Sequence, residues 1–291
     1  MKFLSNDLSA FVFTKSFTTG RLAMRENIYL FSIIFVFSIL IANPAFAING
    51  GEPDGDDHPH VVLLLMEVDG LPMYRCSGTL LSPTVVLTAG HCTSNYPDGD
   101  FSGIRIFTES DVENGDNNYP FPGNNSIEAV YWEAHPLYET ASFVVNDVGV
   151  VILEEPFDLP TYGVLPGLDQ LDDLIMGGGK QKTTFTSVGY GLQRISPTYF
   201  ENDLIRMVAH PRLIQLNAGL TGDYSLLLSN NFSTGGTCFG DSGGPNFLHD
   251  GNVIAGVTSW GMNKNCAGTG GVFRMDRENV LEFVLPFLFT P

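Results

Sequence analysis

Gly240-Asp241-Ser242-Gly243-Gly244-Pro245 sets a serine among glycines, with a carboxylate directly before it and no helix-forming run after it. Glycines let the backbone turn sharply around Ser242. The turn leaves the N–H groups of Gly240 and Ser242 free to aim at one spot, as stabilisation of a developing oxyanion requires. A serine hydroxyl is a weak nucleophile unless a base takes its proton. The reading therefore turns on whether the chain also carries a base and an acid to orient it.

Both are present. Leu87-Thr88-Ala89-Gly90-His91-Cys92 offers a histidine after an apolar run, and Asn146-Asp147-Val148-Gly149-Val150-Val151-Ile152-Leu153 offers an aspartate at the head of a β-branched run. The separations are 56 residues from His91 to Asp147 and 95 from Asp147 to Ser242. With the serine hexapeptide, these segments resemble the chymotrypsin-like (trypsin-fold) serine endopeptidases in order and spacing, over nearly all of residues 48–291. Two other readings are weaker. The hexapeptide also fits G-x-S-x-G, the strand-to-helix elbow of α/β-hydrolases. That reading needs a helix after the serine, which Gly-Gly-Pro opposes. It also needs a histidine late in the chain, where only His249 follows. A catalytically inactive binding protein on the same scaffold typically lacks a triad member, and none is missing here.

Residues 1–47 read as a signal peptide. Arg21 and Arg25 precede the fifteen-residue apolar run Ile28 to Ala42, and Pro44-Ala45-Phe46-Ala47 closes it with small residues. A basic start, an apolar stretch and a small-x-small end mark a secretory leader. The run falls short of the ~20 residues that a membrane span needs. Met24-Arg25 opens a basic start of ordinary length, so residues 1–23 read as an artefactual extension or a longer leader. The whole chain carries a formal charge of −18, and removing 1–47 takes away four basic and two acidic residues, leaving −20. Such a surface excludes nucleic acid and anionic membranes as partners, since both need basic charge. The expectation is a secreted, extracellular or periplasmic protein, a monomer, free of membrane once the leader is gone.

Glycine and proline are scattered along the chain rather than clustered, as in folds of many short strands joined by turns. Strand-like runs cover Val61–Glu67, Thr79–Leu87, Ile104–Phe107, Val148–Leu153, Thr184–Gly189, Val253–Ser259 and Gly271–Arg274, and one helix runs from about Asp276 to Leu285, closed by Pro286. The class is all-β with a C-terminal helix. The resemblance implies two six-stranded antiparallel β-barrels, an N-terminal one over 48–158 and a C-terminal one with the helix over 159–291. Pro156 and Pro160 interrupt the pattern at the boundary.

The remaining expectations follow from the resemblance. His91, Asp147 and Ser242 are the catalytic triad, and Gly240 and Ser242 line the oxyanion hole. The α-amino group of Ile48, freed at Ala47, pairs with Asp241. Four cysteines allow three pairings, of which the family selects Cys76–Cys92 and Cys238–Cys266. Gly236 forms the floor of the pocket for the residue before the cut (P1), with Thr237 beside it and Phe239 at its rim. Ser259-Trp260-Gly261 form a wall, and Gly261 and Gly271 leave the pocket open. With no acidic residue at the floor, the expected P1 residues are large, apolar or aromatic. Protein or peptide substrates and protein inhibitors are the expected partners. No cofactor and no metal are expected: the chain has no CxxC pair, and His91 is needed for catalysis. Some relatives hold calcium near Glu109–Asp116, but the ligand pattern here fits a solvated acidic loop better. Asn124 and Asn231 open N-x-[ST] sequons.

Overall fold

Val61-Val62-Leu63-Leu64-Leu65-Met66 is apolar at every position and buried throughout. The reason lies in the period-two alternation of a strand. Val62, Leu64 and Met66 pack with Leu80, Val86, Ile104, Ile106 and Val151. Val61, Leu63 and Leu65 pack on the other face with Val188, Phe247, Ile254, Val257 and Phe273. One strand thus serves two cores. At roughly 1.5–3 kcal/mol per buried side chain of this size, the hexapeptide is a major source of cohesion.

The computed structural model describes residues 50–94, 100–138, 145–176, 183–196, 199–217, 219 and 221–289. The expected leader and Ile48 lie outside the described residues. After a short β1 (Glu52–Pro53), six strands follow: β2 (Val61–Val68), β3 (Leu71–Leu80), β4 (Val85–Thr88), β5 (Gly103–Phe107), β6 (Ser126–Ala134) and β7 (Gly149–Leu153). They close into an antiparallel barrel in the order β2-β3-β4-β7-β6-β5. Asp69 and Gly70 turn β2 into β3 with φ of 53° and 74°, the left-handed pair that a tight hairpin favours.

A one-turn helix, α1 (Asp173–Met176), leads to the second sheet. Its strands are β8 (Phe185–Gly189), β11 (Met207–Ala209), β12 (Leu213–Leu216), β13 (Ser225–Asn230), β14 (Pro245–Leu248), β15 (Ile254–Gly261) and β16 (Gly268–Arg274). A separate hairpin, β9 (Arg194–Ser196) with β10 (Tyr199–Glu201), projects between β8 and β11. The sheet order is β1-β11-β8-β14-β15-β16-β13-β12, eight strands rather than six. Two facts account for the difference. β1 adds to the edge of β11, and Pro211 breaks one long strand into β11 and β12. Phe185 N–H to Pro211 O and Leu213 N–H to Thr183 O carry the pairing across that break. The sheet thereby curls into a circuit of six strand positions.

The run Thr79–Leu87 is not one strand, because Ser82-Pro83 makes a turn in which Leu81 N–H bonds Val85 O. β1, β6 and β9 to β14 were not read from the sequence, and of β3 only its end was. The C-terminal helix, α2 (Glu278–Phe289), runs through Pro286 rather than stopping there. Phe287 and Leu288 pack on the core beyond it, and Phe287 meets Phe283 at 5.6 Å between ring centres. That packing offsets the ~3 kcal/mol that proline costs inside a helix. Among the described residues, no helix is long and apolar enough to cross a membrane.

Candidate active site

The loop around Ser242 is held from outside by Ser77 on β3. Ser77 N–H donates to Ser242 O at 2.8 Å, and Ser77 Oγ donates to Gly240 O at 2.9 Å. Thr88 Oγ1 in turn donates to Ser77 O at 2.9 Å. Gly243 sits at φ 76° with Thr88 and Ala89 so close that a Cβ would collide with both. The serine loop and the strand leading to His91 are therefore in direct backbone contact, and glycine is required where they touch. Ser77 is fully buried and was not singled out in the sequence. A buried serine one residue after a cysteine carries no motif of its own.

Two carbonyls of this loop are fixed by hydrogen bonds. Phe239 O accepts Leu192 N–H at 2.8 Å, and Asp241 O accepts Gly244 N–H at 2.9 Å. In a trans peptide the N–H points opposite to its carbonyl. Fixing those two oxygens thus orients the N–H groups of Gly240 and Ser242 the other way. Gly240 holds φ 98°, a left-handed value open to glycine.

His91 follows β4 on a short 3-10 turn, Gly90–Cys92, and Asp147 immediately precedes the β7 run. Registered pairing of β4 with β7, Thr88 against Gly149, brings the two together. Asp147 is fully buried. Its Oδ2 lies 2.9 Å from His91 Nδ1, and its Oδ1 accepts the His91 backbone N–H at 2.9 Å. Burial opposes a charged imidazole, but the Asp147 carboxylate, by charge and hydrogen bond, outweighs it and raises the pKa of His91. Ser259 Oγ donates to Asp147 Oδ2 at 2.5 Å. Ser259 was expected as a pocket wall and also serves the aspartate. Asn146, at φ 55°, bonds Leu137 O and accepts from Asn279 of α2. The terminal helix so clamps the residue before Asp147.

Asp241 is fully buried, and its two oxygens accept from Gly191 N–H and Cys238 N–H, each at 2.8 Å. Burial pushes its pKa up to about 6, against the pull of those two donors and of Arg75. Disulfides join Cys76 to Cys92 and Cys238 to Cys266. The first closes the histidine turn, and the second ties the serine loop to the segment after β15.

Ser242 opens on a cavity of about 310 Å³. Thr237, Phe239, Ser259, Trp260 and Gly261 line it as expected, together with Thr258, Asn263 and Lys264. Gly236 and Gly271 do not line it. The Asn230 side chain lies against Gly236, and the Trp260 indole lies over Gly271 where a side chain would stand. A bulge between Thr258 and Trp260 puts Trp260 opposite Gly271, so the glycine makes room for an indole rather than for substrate. Along the acidic loop, Glu109 accepts from Asp116 N–H, Asn117 and Asn125, so its carboxylate is taken up within the loop.

The family model for trypsin matches residues 47–277. Brachyurin of Leptuca pugilator is 32% identical over 226 residues, covering 75% of this chain and 88% of that protein. Trypsin of Saccharopolyspora erythraea is 30% identical over 238 residues, covering 78% of this chain and 91% of that protein. The solved structure of HL collagenase, 18% identical, superimposes with a TM-score of 0.63 over 83% of this chain and 98% of its own. With its β-barrel architecture and this match to the family over most of its length, the chain belongs to the trypsin family of serine endopeptidases.

Proposed function

We propose that this protein is an active endopeptidase in which Ser242, His91 and Asp147 form the catalytic triad. The observation that carries the proposal is the pairing of His91 Nδ1 with a fully buried Asp147 carboxylate at 2.9 Å. That pairing leaves Nε2 to act on the serine. His91 takes the Ser242 proton as the hydroxyl attacks a peptide carbonyl, and returns it to the leaving amine. Asp147 holds the tautomer and stabilises the imidazolium, with Ser259 as its positioning partner. The N–H groups of Gly240 and Ser242 take the oxyanion. Water then repeats the cycle and frees the acid. Covalent labelling by a fluorophosphonate tests this directly: labelling at Ser242 and its loss in Ser242→Ala are expected. An unlabelled, inactive wild type defeats the proposal.

No carboxylate lines the cavity, while Trp260 and Phe239 do. A cationic side chain would be desolvated there without a partner. Large apolar or aromatic P1 residues are the substrates this favours, ahead of arginine or lysine. The protein is read as a secreted monomer whose leader, over residues 1–47, is removed at Ala47. The Ile48 amine so released pairs with Asp241, and export and activation are one event. The support is a fully buried carboxylate whose ionisation is held back to about pH 6, an environment that calls for a cation. N-terminal sequencing of the exported protein is expected to begin at Ile48. Any other start, or activity in the uncleaved precursor, removes this part of the reading.

A further inference from the structure

We infer that Lys264 makes the P1 pocket select acidic side chains over their neutral isosteres, adding glutamate to the apolar substrates above. The inference rests on the endopeptidase reading and deepens it. Lys264 lines the 310 Å³ cavity beside Ser242. It is the single lysine among the described residues of a chain whose net charge is −18. Among the described residues Lys264 has no ion pair, a property it shares with Arg75, Arg194 and Arg212, while Arg105, Arg206, Arg274 and Arg277 are paired. Lys264 is the one of the unpaired cations that lines this cavity. A lysine that lines a substrate cavity and has no ion pair among the described residues is available to a carboxylate that arrives with the substrate.

The segment carrying Lys264 is held in place. Asn263 Nδ2 donates to Ala267 O at 2.7 Å, and Asn263 Oδ1 accepts Asn265 N–H at 3.0 Å. Cys266 N–H donates to Asn263 O at 3.3 Å, and Cys266 is tied by its disulfide to Cys238, four residues before Ser242. The loop is a closed turn stapled to the nucleophile loop, so the base of the lysine is positioned although its side chain is exposed. A second donor lies deeper. The Thr258 hydroxyl is buried and accepts from Asn246 Nδ2 at 3.0 Å, which leaves its own hydrogen to donate. Thr258 and Lys264 both line the cavity, and among the described residues no carboxylate does. A carboxylate entering it therefore has two side-chain donors to meet and no like charge in the lining. The acidic surface elsewhere repels such a substrate weakly, because charges beyond about 8–10 Å are screened at physiological salt.

The test is a peptide series identical except at P1, with Glu, Gln, Phe and Arg, read as kcat/KM for wild type, Lys264→Gln and Lys264→Arg. Ion pairs at exposed sites are modest, at most about fivefold each. The wild type is therefore expected to cleave the Glu peptide about three- to fivefold faster than the Gln peptide at low salt. That ratio should shrink toward one in high salt, fall to one or below in Lys264→Gln, and persist in Lys264→Arg. A Glu-to-Gln ratio at or below one in wild type, or a ratio unchanged in Lys264→Gln, overturns the inference while cleavage of the Phe peptide leaves the endopeptidase reading standing. If no peptide is cleaved and the fluorophosphonate does not label Ser242, both fall together.

Discussion

Asp147 shows how much one residue can ask of its surroundings. It is fully buried and accepts hydrogen bonds from the His91 ring, the His91 backbone and Ser259. Its charge raises the pKa of His91. In the proposed mechanism His91 is the general base and must be neutral, so the acid limb of kcat/KM is expected to lie above pH 6.5, the ordinary histidine value. In Asp147→Asn, burial acts on the imidazole without the countering charge. The limb should then move to lower pH while kcat falls about 10⁴-fold; pH-rate profiles of both enzymes decide. His60 behaves in the opposite sense. It is buried, neither ring nitrogen has a hydrogen-bond partner, and burial first, then His58 and Arg206, lowers its pKa to about 4. Between about pH 6.5 and 4 the unfolded chain binds a proton at this site that the folded chain refuses. Stability is therefore lost as pH falls through that window, by about 3 kcal/mol at its foot. Denaturant titrations across that window should show the loss, and His60→Leu should flatten it. The residues of the proposed triad stood out in the sequence because each sits in a short motif of distinctive chemistry. Ser77, His60 and Lys264 did not, because a lone serine, histidine or lysine acquires its meaning from what folds against it.

At the scale of elements, β1 and the segment after it are tethered by a buried ion pair. Arg206, 1% exposed, donates to Asp54 at 2.8 Å, to Val61 O at 3.1 Å and to Gly55 O at 2.7 Å. This guanidinium joins the N-terminal segment, the first barrel's β2 and the segment leading into β11. Removing Arg206 leaves buried Asp54 with His58 as its remaining partner, and removing Asp54 leaves the guanidinium buried without a carboxylate. Arg206→Met is expected to cost about 3–5 kcal/mol in chemical denaturation, and Asp54→Leu with Arg206→Met together should recover part of it. The tether was invisible beforehand, since 152 residues separate its partners. The apolar runs of β2, β4 and β7 were legible by composition. β6 was not, because charged and exposed positions break its alternation. The stop placed at Pro286 came from local propensity, and packing of Phe287 and Leu288 overrode it.

Over the whole molecule, the proposed catalysis depends on holding the serine loop of the second sheet against the first barrel. Ser77 of the first barrel holds the serine loop of the second sheet, and the Cys238–Cys266 disulfide holds that loop to the Lys264 turn. The disulfide closes a sequence separation of 28, which loop-closure entropy values at about 3.5 kcal/mol. Cys238→Ser with Cys266→Ser should lower stability by about that amount, and the Glu-to-Gln discrimination should weaken as the turn loosens. Calorimetry and the peptide series read the two effects separately. Sequence alone determined the all-β class and the family, and singled out Ser242, His91 and Asp147 as the proposed nucleophile, base and acid, because glycine-flanked serine, histidine before cysteine, and aspartate before a β-branched run are local statements of chemistry. Only the tertiary structure decided that Trp260 covers Gly271, that Asn230 packs against Gly236, and that Lys264, without an ion pair among the described residues, lines the cavity. Those outcomes depend on a strand bulge and on contacts between residues distant in the chain, whose geometry no local pattern encodes.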